Sequence, residues 1–177
     1  MNKRAVFLSG KKVILSPASK KDAPFIESLI NSDDIRRNLA ERFPRNEEAI
    51  FDTIESMNKK REIFLIICDK ADNKKAGALL LHDFSWHNRR AMFTINVSPD
   101  FQGKGFGYES SKLLIDYAFK NLQVHKICLE VYAFNKKAVN MYKKLGFVLE
   151  GRFKKHSFKD GKYVDLLFMS LLNKDEK

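Results

Sequence analysis

Cysteine is scarce in this 177-residue chain, and the scarcity sets the first limits. Cys68 and Cys128 stand apart, in no ligand-type spacing. Neither a disulfide framework nor a zinc site is expected, and a reducing compartment suits the chain. The four histidines (His82, His87, His125 and His156) are scattered singly. His82 and His87 could approach each other on a hairpin, but no third ligand accompanies them, so no metal is expected. No apolar run approaches the roughly 20 residues a membrane helix needs. The stretch from Ala5 to Leu8 is too short for a secretory signal, which makes the cytoplasm the expected compartment and a membrane partner unexpected. Repeats, low-complexity tracts and linkers are missing too, so residues 1–177 read as a single domain.

What the chain does have is positive charge. A net charge of +11 favours nucleic acid, a membrane surface or a phosphorylated cofactor, and charge alone does not choose among them. The aromatic residues follow core periodicities rather than an exposed stacking pattern, which argues against nucleic acid.

Hydrophobic period gives the elements. Lys11 to Leu15 reads as a first strand ending at Pro17, and Ser19 with Asp22 resembles a helix start with an acidic first turn. Phe25, Ile26, Leu29 and Ile30 recur at helical spacing, as do Ile50, Ile54 and Met57 after Pro44. Ile63 to Cys68 and Ala76 to His82 are of strand length. In the strand from Arg90 to Val97, Ala91, Phe93, Ile95 and Val97 alternate with Met92, Thr94 and Asn96. A helix from Gly107 to Leu122 is expected on Ile115, Ala118, Phe119 and Leu122, then a strand from Lys126 to Tyr132. Another helix, Lys136 to Leu145, carries Ala138, Met141, Tyr142 and Leu145 and stops at Gly146. Val148 to Phe158 and Tyr163 to Leu172 form a last strand pair across an Asp160-Gly161 turn. The order βααβββαβαββ predicts an α/β layer arrangement with a mixed sheet.

Three of the eight glycines fall at alternate positions in Gln102-Gly-Lys-Gly-Phe-Gly107-Tyr108, between a strand end and a helix start. Glycines there let successive backbone N–H groups converge, and the helix adds its dipole and unpaired donors, so a diphosphate is the natural guest. Lys104, Lys136 and Lys137 could add positive charge. No Lys-Ser or Lys-Thr pair closes the loop, so it is not a P-loop. A dinucleotide fold is a closer rival, with Glu130 at a suitable distance downstream, but Tyr108 occupies the third glycine's place and repeated βαβ units are missing.

Gln102-Gly-Lys-Gly-Phe-Gly107 matches the Gln/Arg-x-x-Gly-x-Gly/Ala signature of the GNAT acetyltransferases. Asn135-Lys-Lys-Ala138-Val-Asn-Met-Tyr142-Lys-Lys-Leu145-Gly146-Phe147 resembles their second signature. The resemblance covers nearly the whole chain and is strongest from Ala76 to Leu172. It points to the branch holding ribosomal-protein N-terminal and spermidine/spermine acetyltransferases. It implies a GNAT-like acyl-CoA N-acyltransferase fold, acetyl-CoA as co-substrate and an amine as acceptor, polyamine-like or a protein N-terminus. A homodimer or larger homo-oligomer is compatible with it.

By that resemblance Gln102, Gly103, Lys104, Gly105, Phe106, Gly107 and Tyr108 hold the coenzyme A pyrophosphate. Ile95, Asn96 and Val97 pair with the pantetheine arm where their strand splays from Lys126 to Tyr132, with Asn135 at the cleft mouth and Lys137 beside it. Tyr142 is the expected donor of a proton to the leaving thiolate. The general base is open: Met92 stands where the polyamine enzymes carry a glutamate, leaving Glu130, Asp83, His82 or a water. Asp33, Asp34, Glu41, Glu47 and Glu48 concentrate acidic charge where the acceptor would enter. The missing glutamate also motivates an alternative, a non-catalytic acyl-CoA-binding regulatory module on the same fold.

Overall fold

The two periods written in the sequence meet in one eight-stranded sheet, seen in a computed structural model that describes residues 4–40 and 43–174. The strands are β1 (Leu8–Ser9), β2 (Val13–Pro17), β3 (Ile63–Asp69), β4 (Lys75–Ser85), β5 (Arg90–Val97), β6 (Lys126–Tyr132), β7 (Val148–Lys159) and β8 (Lys162–Leu172). The helices are α1 (Ala23–Asn31), α2 (Asp33–Arg36), α3 (Glu47–Lys59), α4 (Phe106–Asn121) and α5 (Lys136–Lys144). Their order across the sheet is β1-β2-β3-β4-β5-β6-β8-β7. Every pairing is antiparallel except β5 with β6, so the mixed α/β class expected from the sequence is borne out. Two short elements, β1 and α2, are added to the expected order.

Alternation along β5 sorts the sheet's two faces. Ala91 and Phe93 are buried, with Ile95 and Val97 packed beside them, in the core under α4 and α5. Ile127, Leu129 and Val131 of β6 and Leu79 and Leu81 of β4 join the same core. The other face carries a smaller core in which Ile66, Cys68 and Ala78 meet Ile26 and Leu29 of α1 and Ile50 and Ile54 of α3. Strand alternation therefore puts His82, Met92, Thr94, Asn96, Cys128, Glu130 and Tyr132 on the face shared with α1 and α3.

Helix ends follow local chemistry. Asn46 Oδ1 accepts from the Ala49 N–H (2.9 Å) to open α3, and Gly146, at φ +96, ends α5 with its N–H donating to the Lys143 carbonyl. The expected stripe on α4 is shifted: Phe106, Ser110, Ser111, Leu114, Ile115 and Ala118 are buried, while Phe119 is only partly so. On α5 the buried residues are Val139 and Tyr142. Asp160 and Gly161 both have positive φ (47 and 77), as a two-residue hairpin turn requires.

The Ser19–Asp22 start is a 3₁₀ turn leading into α1, and Asp22 does more than cap it. Its carboxylate is fully buried and accepts from the Ser19 N–H (2.8 Å) and Oγ (2.9 Å), from Arg4, and from Lys75 Nζ at 2.9 Å. Burial alone would push this carboxyl up, but Arg4, Lys75 and Ser19 outweigh it and hold it below the usual carboxylate range. At the tip of the β4–β5 hairpin Phe84 and Trp86 stack with centroids 4.6 Å apart and planes 7° apart. Trp86 is nonetheless 55% exposed.

Candidate active site

The parallel pair at mid-sheet opens after three residues. β5 and β6 are matched only at Arg90–Lys126, Ala91–Ile127 and Met92–Cys128. Beyond Met92, from Phe93 to Val97, the β6-facing edge of β5 has no strand partner, so its backbone donors and acceptors are left for another extended chain. The expected splay at Ile95, Asn96 and Val97 is present. Gly77 of β4 lies so close behind it that an added Cβ would stand 2.3 Å from the Asn96 carbonyl oxygen.

Both strands run into helices, and because they are parallel, both helix N-termini lie at the same edge of the opening. After β5 the chain makes a 3₁₀ turn (Pro99–Phe101) and enters the glycine loop. Gly103 and Gly105 have φ of +73 and +90, and nothing lies within 4 Å of a Cβ added at either. Backbone conformation, not crowding, is what selects glycine there. Gly107 differs: its added Cβ would meet Met141 Sδ of α5 at 3.1 Å and Val97 Cγ2 at 3.4 Å. The Glu109 N–H donates to Gly105 O as the first bond of α4, so the N–H groups of Phe106, Gly107 and Tyr108 have no intrahelical acceptor.

Side chains brace the loop. Gln102 Nε2 donates to the Val97 carbonyl (3.1 Å), folding the loop back on the strand end, and the Phe101 and Phe106 rings pack edge to face. Lys104 is exposed, and its carbonyl accepts from Lys12 Nζ (3.3 Å) of the β1–β2 turn. The Tyr108 side chain turns outward to line a shallow groove of ≈ 280 Å³ with Lys112, Ile115 and Leu145. Asn135 is the N-cap of α5: its Oδ1 accepts from the Ala138 N–H (3.1 Å), which leaves its amide NH₂ directed to no other described residue. Lys136 and Lys137 follow it, exposed, in a first turn with no acidic residue. Two cations at a positive helix end repel the dipole, an arrangement relieved by an anion. Open amides, two helix ends and unbalanced lysines together fit a diphosphate, and the free edge of β5 fits an amide-bearing arm.

Tyr142 approaches from the helix side. Its ring packs edge to face on Phe93 (6.4 Å) and against Phe147 (5.7 Å). Burial pushes the phenol far above its ordinary range, so it stays protonated and has a proton to donate at neutral pH. Among the described residues its hydroxyl has no hydrogen-bond partner, and it is not one of the sealed orphan atoms, which are Arg4 Nη1, Ser16 Oγ and Ser110 Oγ. Glu130 stands across the sheet from Tyr142, exposed on β6, with Phe168 of β8 as its cross-strand partner. The two expected catalytic residues thus flank the opening from opposite faces and are not brought together.

His82 and Asp83 do meet. His82 Nδ1 lies 2.9 Å from Asp83 Oδ2, and His82 Nε2 lies 3.0 Å from Thr94 Oγ1, a residue that the sequence marks only as part of an alternation. On the face shared with α1 and α3, Asp33 and Asp34 open α2 and Glu47 and Glu48 open α3, while Glu41 lies outside the described residues. Among the described residues no three His, Cys, Asp or Glu side chains gather as a metal site, and no helix is long and apolar enough to cross a membrane.

A family profile for an acetyltransferase (GNAT) domain matches residues 12–148. The chain is 32% identical over 167 residues to the spermidine N(1)-acetyltransferase of Escherichia coli (strain K12), spanning 92% of this chain and 87% of that protein. The crystal structure of spermidine N-acetyltransferase from Vibrio cholerae in complex with CoA and spermine superposes with a TM-score of 0.85 at 29% identity, over 91% of this chain and 95% of that one. Ribosomal-protein-S5-alanine acetyltransferase from Vibrio fischeri shares the fold, with a TM-score of 0.83 at 21% identity over 96% and 98% of the two chains. The chain belongs to the GNAT acetyltransferases. It is an acetyl-CoA-dependent enzyme that acetylates an amine.

Proposed function

We propose that the acceptor is the primary amine of a polyamine-like small molecule, and that the cofactor and catalytic roles fall to the residues gathered at the β5–β6 opening. The observation that carries this reading is the opening itself: one free strand edge, with two helix N-termini at its mouth. Gln102 to Tyr108 and the start of α5, with Lys137, would hold the diphosphate of acetyl-CoA, and the edge along Ile95, Asn96 and Val97 its arm. Acetyl-CoA supplies the acetyl group as an activated thioester.

This chain's residues manage the protons. An alkylamine with a pKa near 10.4 is only about 0.04% neutral at pH 7, so a base on the acceptor face must take a proton. Glu130 and His82 both stand on that face. An N–H of β5 would stabilise the oxyanion, and Tyr142, kept protonated by burial, delivers a proton to the departing sulfur. Asp33, Asp34, Glu47 and Glu48 would draw a cationic acceptor in.

A protein N-terminus is the second reading. One feature favours it: Met92 replaces the glutamate of the polyamine pattern. Buried, unpaired Cys68 and Cys128 suit a cytoplasmic enzyme. An acetyl-transfer screen over polyamines, aminoglycosides, amino acids and ribosomal-protein N-terminal peptides, with product masses recorded, tests the reading. Acetylated polyamine is the expected product; acetylated peptide alone would transfer the assignment to the second reading.

A further inference from the structure

Met92 leaves a gap in proton handling, and its cross-strand partner in β4 is His82. The two Cα positions are directly opposed on the acceptor face, so a histidine stands beside the place where a carboxylate is missing. Its ring is not idle. A carboxylate can only accept, so Asp83 Oδ2 at 2.9 Å assigns the proton of the neutral ring to Nδ1. The Nε2 lone pair then faces Thr94 Oγ1 at 3.0 Å, and the threonine hydroxyl donates to it. The remaining lone pairs of Thr94 are free to accept from a third group. Thr94 lies two residues past the last β5–β6 pair, at the start of the splay.

The backbone is bent to make this arrangement. The β4–β5 register shifts between His82 and Ser85, and Asp83 sits in that irregularity with φ +50, a conformation uncommon for a residue with a side chain. Its N–H is fixed by donation to Glu62 Oε1 at 2.8 Å. A bulge of this kind re-aims a side chain, and here it directs the Asp83 carboxylate onto Nδ1. The Asp83 side chain is 71% exposed, so the link sets the tautomer and adds little stability. The far flank of His82 lines a groove of ≈ 530 Å³ with Arg45, Asp52, Lys60, Glu62 and Leu80, open to solvent.

We propose that Thr94, His82 and Asp83 form a proton relay that serves as the base of the acetyl transfer, resting on the acetyltransferase reading above. The acceptor ammonium gives one proton to Thr94 Oγ1 as the threonine proton passes to His82 Nε2, leaving a neutral amine and an imidazolium. The N–C bond forms, the C–S bond breaks, and the sulfur takes one proton from Tyr142. The new amide's second proton returns to Tyr142, and the imidazolium releases its own through the groove. Thus R–NH₃⁺ and the thioester give amide, thiol and one H⁺. Thr94 meets the amine; His82 acts through it, and Asp83 positions the ring. The charged groups facing the ring are Asp83 on β4, Glu62 before β3, Asp52 of α3, Lys60 at its C-terminal cap, and Arg45 ahead of it.

The test is a pH profile of kcat/KM with spermidine, or with the fastest acceptor of the screen if spermidine is not turned over. In the wild type the rate should reach a plateau rather than rise in proportion to hydroxide, because the relay takes the proton of the ammonium. His82→Gln should lose about 10²-fold at pH 7 and keep climbing with hydroxide, with KM for acetyl-CoA unchanged. Thr94→Val should do the same and Thr94→Ser should not; His82→Gln combined with Met92→Glu should recover at least about tenfold of the loss. Matching wild-type and His82→Gln profiles, or a plateau lost in Glu130→Gln instead, overturns the relay and leaves the enzyme assignment standing. No turnover of any amine by the wild type would overturn that assignment and the relay with it.

Discussion

Gly105→Ala separates the backbone's part in the loop from every side-chain effect. Gly105 has φ +90 and ψ −5 and caps the N-terminus of α4, and a Cβ there would have no neighbour within 4 Å. The cost is therefore intrinsic, roughly 1–2 kcal/mol for an L-residue in left-handed space. Reduced freedom of the unfolded chain returns about 0.4–1 kcal/mol. The net of about 1 kcal/mol corresponds to a Tm lowered by about 2–4 °C for a domain of this size. Relaxing toward negative φ would turn the Gly103 to Tyr108 amides apart. Calorimetric binding of coenzyme A should then weaken by about 5–30-fold, the factor equivalent to 1–2 kcal/mol. Gly105→Asn should fall between alanine and wild type, since asparagine tolerates left-handed φ. Gly151→Ala, where φ is not positive and the added Cβ is also unopposed, should change neither quantity. If Gly105→Ala melts and binds as the wild type does, the loop's conformation is not what holds the diphosphate.

Three other outcomes follow from the geometry. Tyr142→Phe should lower kcat by about 10²–10⁴ while coenzyme A affinity stays within about twofold; steady-state kinetics beside calorimetry decides, and full turnover removes Tyr142 from the chemistry. Asp22, whose carboxyl is held below its ordinary value, contributes stability fully present above its unfolded pKa of about 3.9 and lost as pH falls through the lower folded value. Asp22→Asn should flatten that acid limb in urea titrations at about pH 2–6, and should cost toward the lower end of about 3–5 kcal/mol at neutral pH, because Arg4 and Lys75 keep 29% and 31% exposure. Lys137→Gln should weaken coenzyme A binding at low salt and raise stability by about 0.3–1 kcal/mol, through removal of a cation from a helix N-terminus; a less stable variant with intact binding contradicts the role given to α5.

The sequence made most of this fold legible because each long element carries a clear period, and Ile50, Ile54 and Met57 or Ala91 and Phe93 are buried where that period puts them. Leu8–Ser9 and Asp33–Arg36 are too short to show a period. Ser110 and Ser111 are buried polar residues that a hydrophobic count leaves out. The placing of β8 between β6 and β7 depends on tertiary pairing, which alternation does not encode. At the site, three alternate glycines mark the loop, two because their φ values demand that residue type and Gly107 because Met141 and Val97 leave no room for a side chain. The Thr94–His82–Asp83 contact stayed hidden, since it depends on which residues face each other across β4 and β5 and on a register shift at Asp83. Asn135 was recognised by motif, yet its Oδ1 is engaged in starting α5, so only its NH₂ remains for a ligand.

Trp86 is the chain's single tryptophan, stacked on Phe84 four positions after His82 in the same hairpin. Intrinsic indole emission therefore originates from one place only, the tip of the β4–β5 hairpin, where Phe84 leads back to the core under α4 and α5. Any rearrangement of that hairpin can be followed optically on the unlabelled enzyme, with the fifteen phenylalanines and five tyrosines dark under selective excitation.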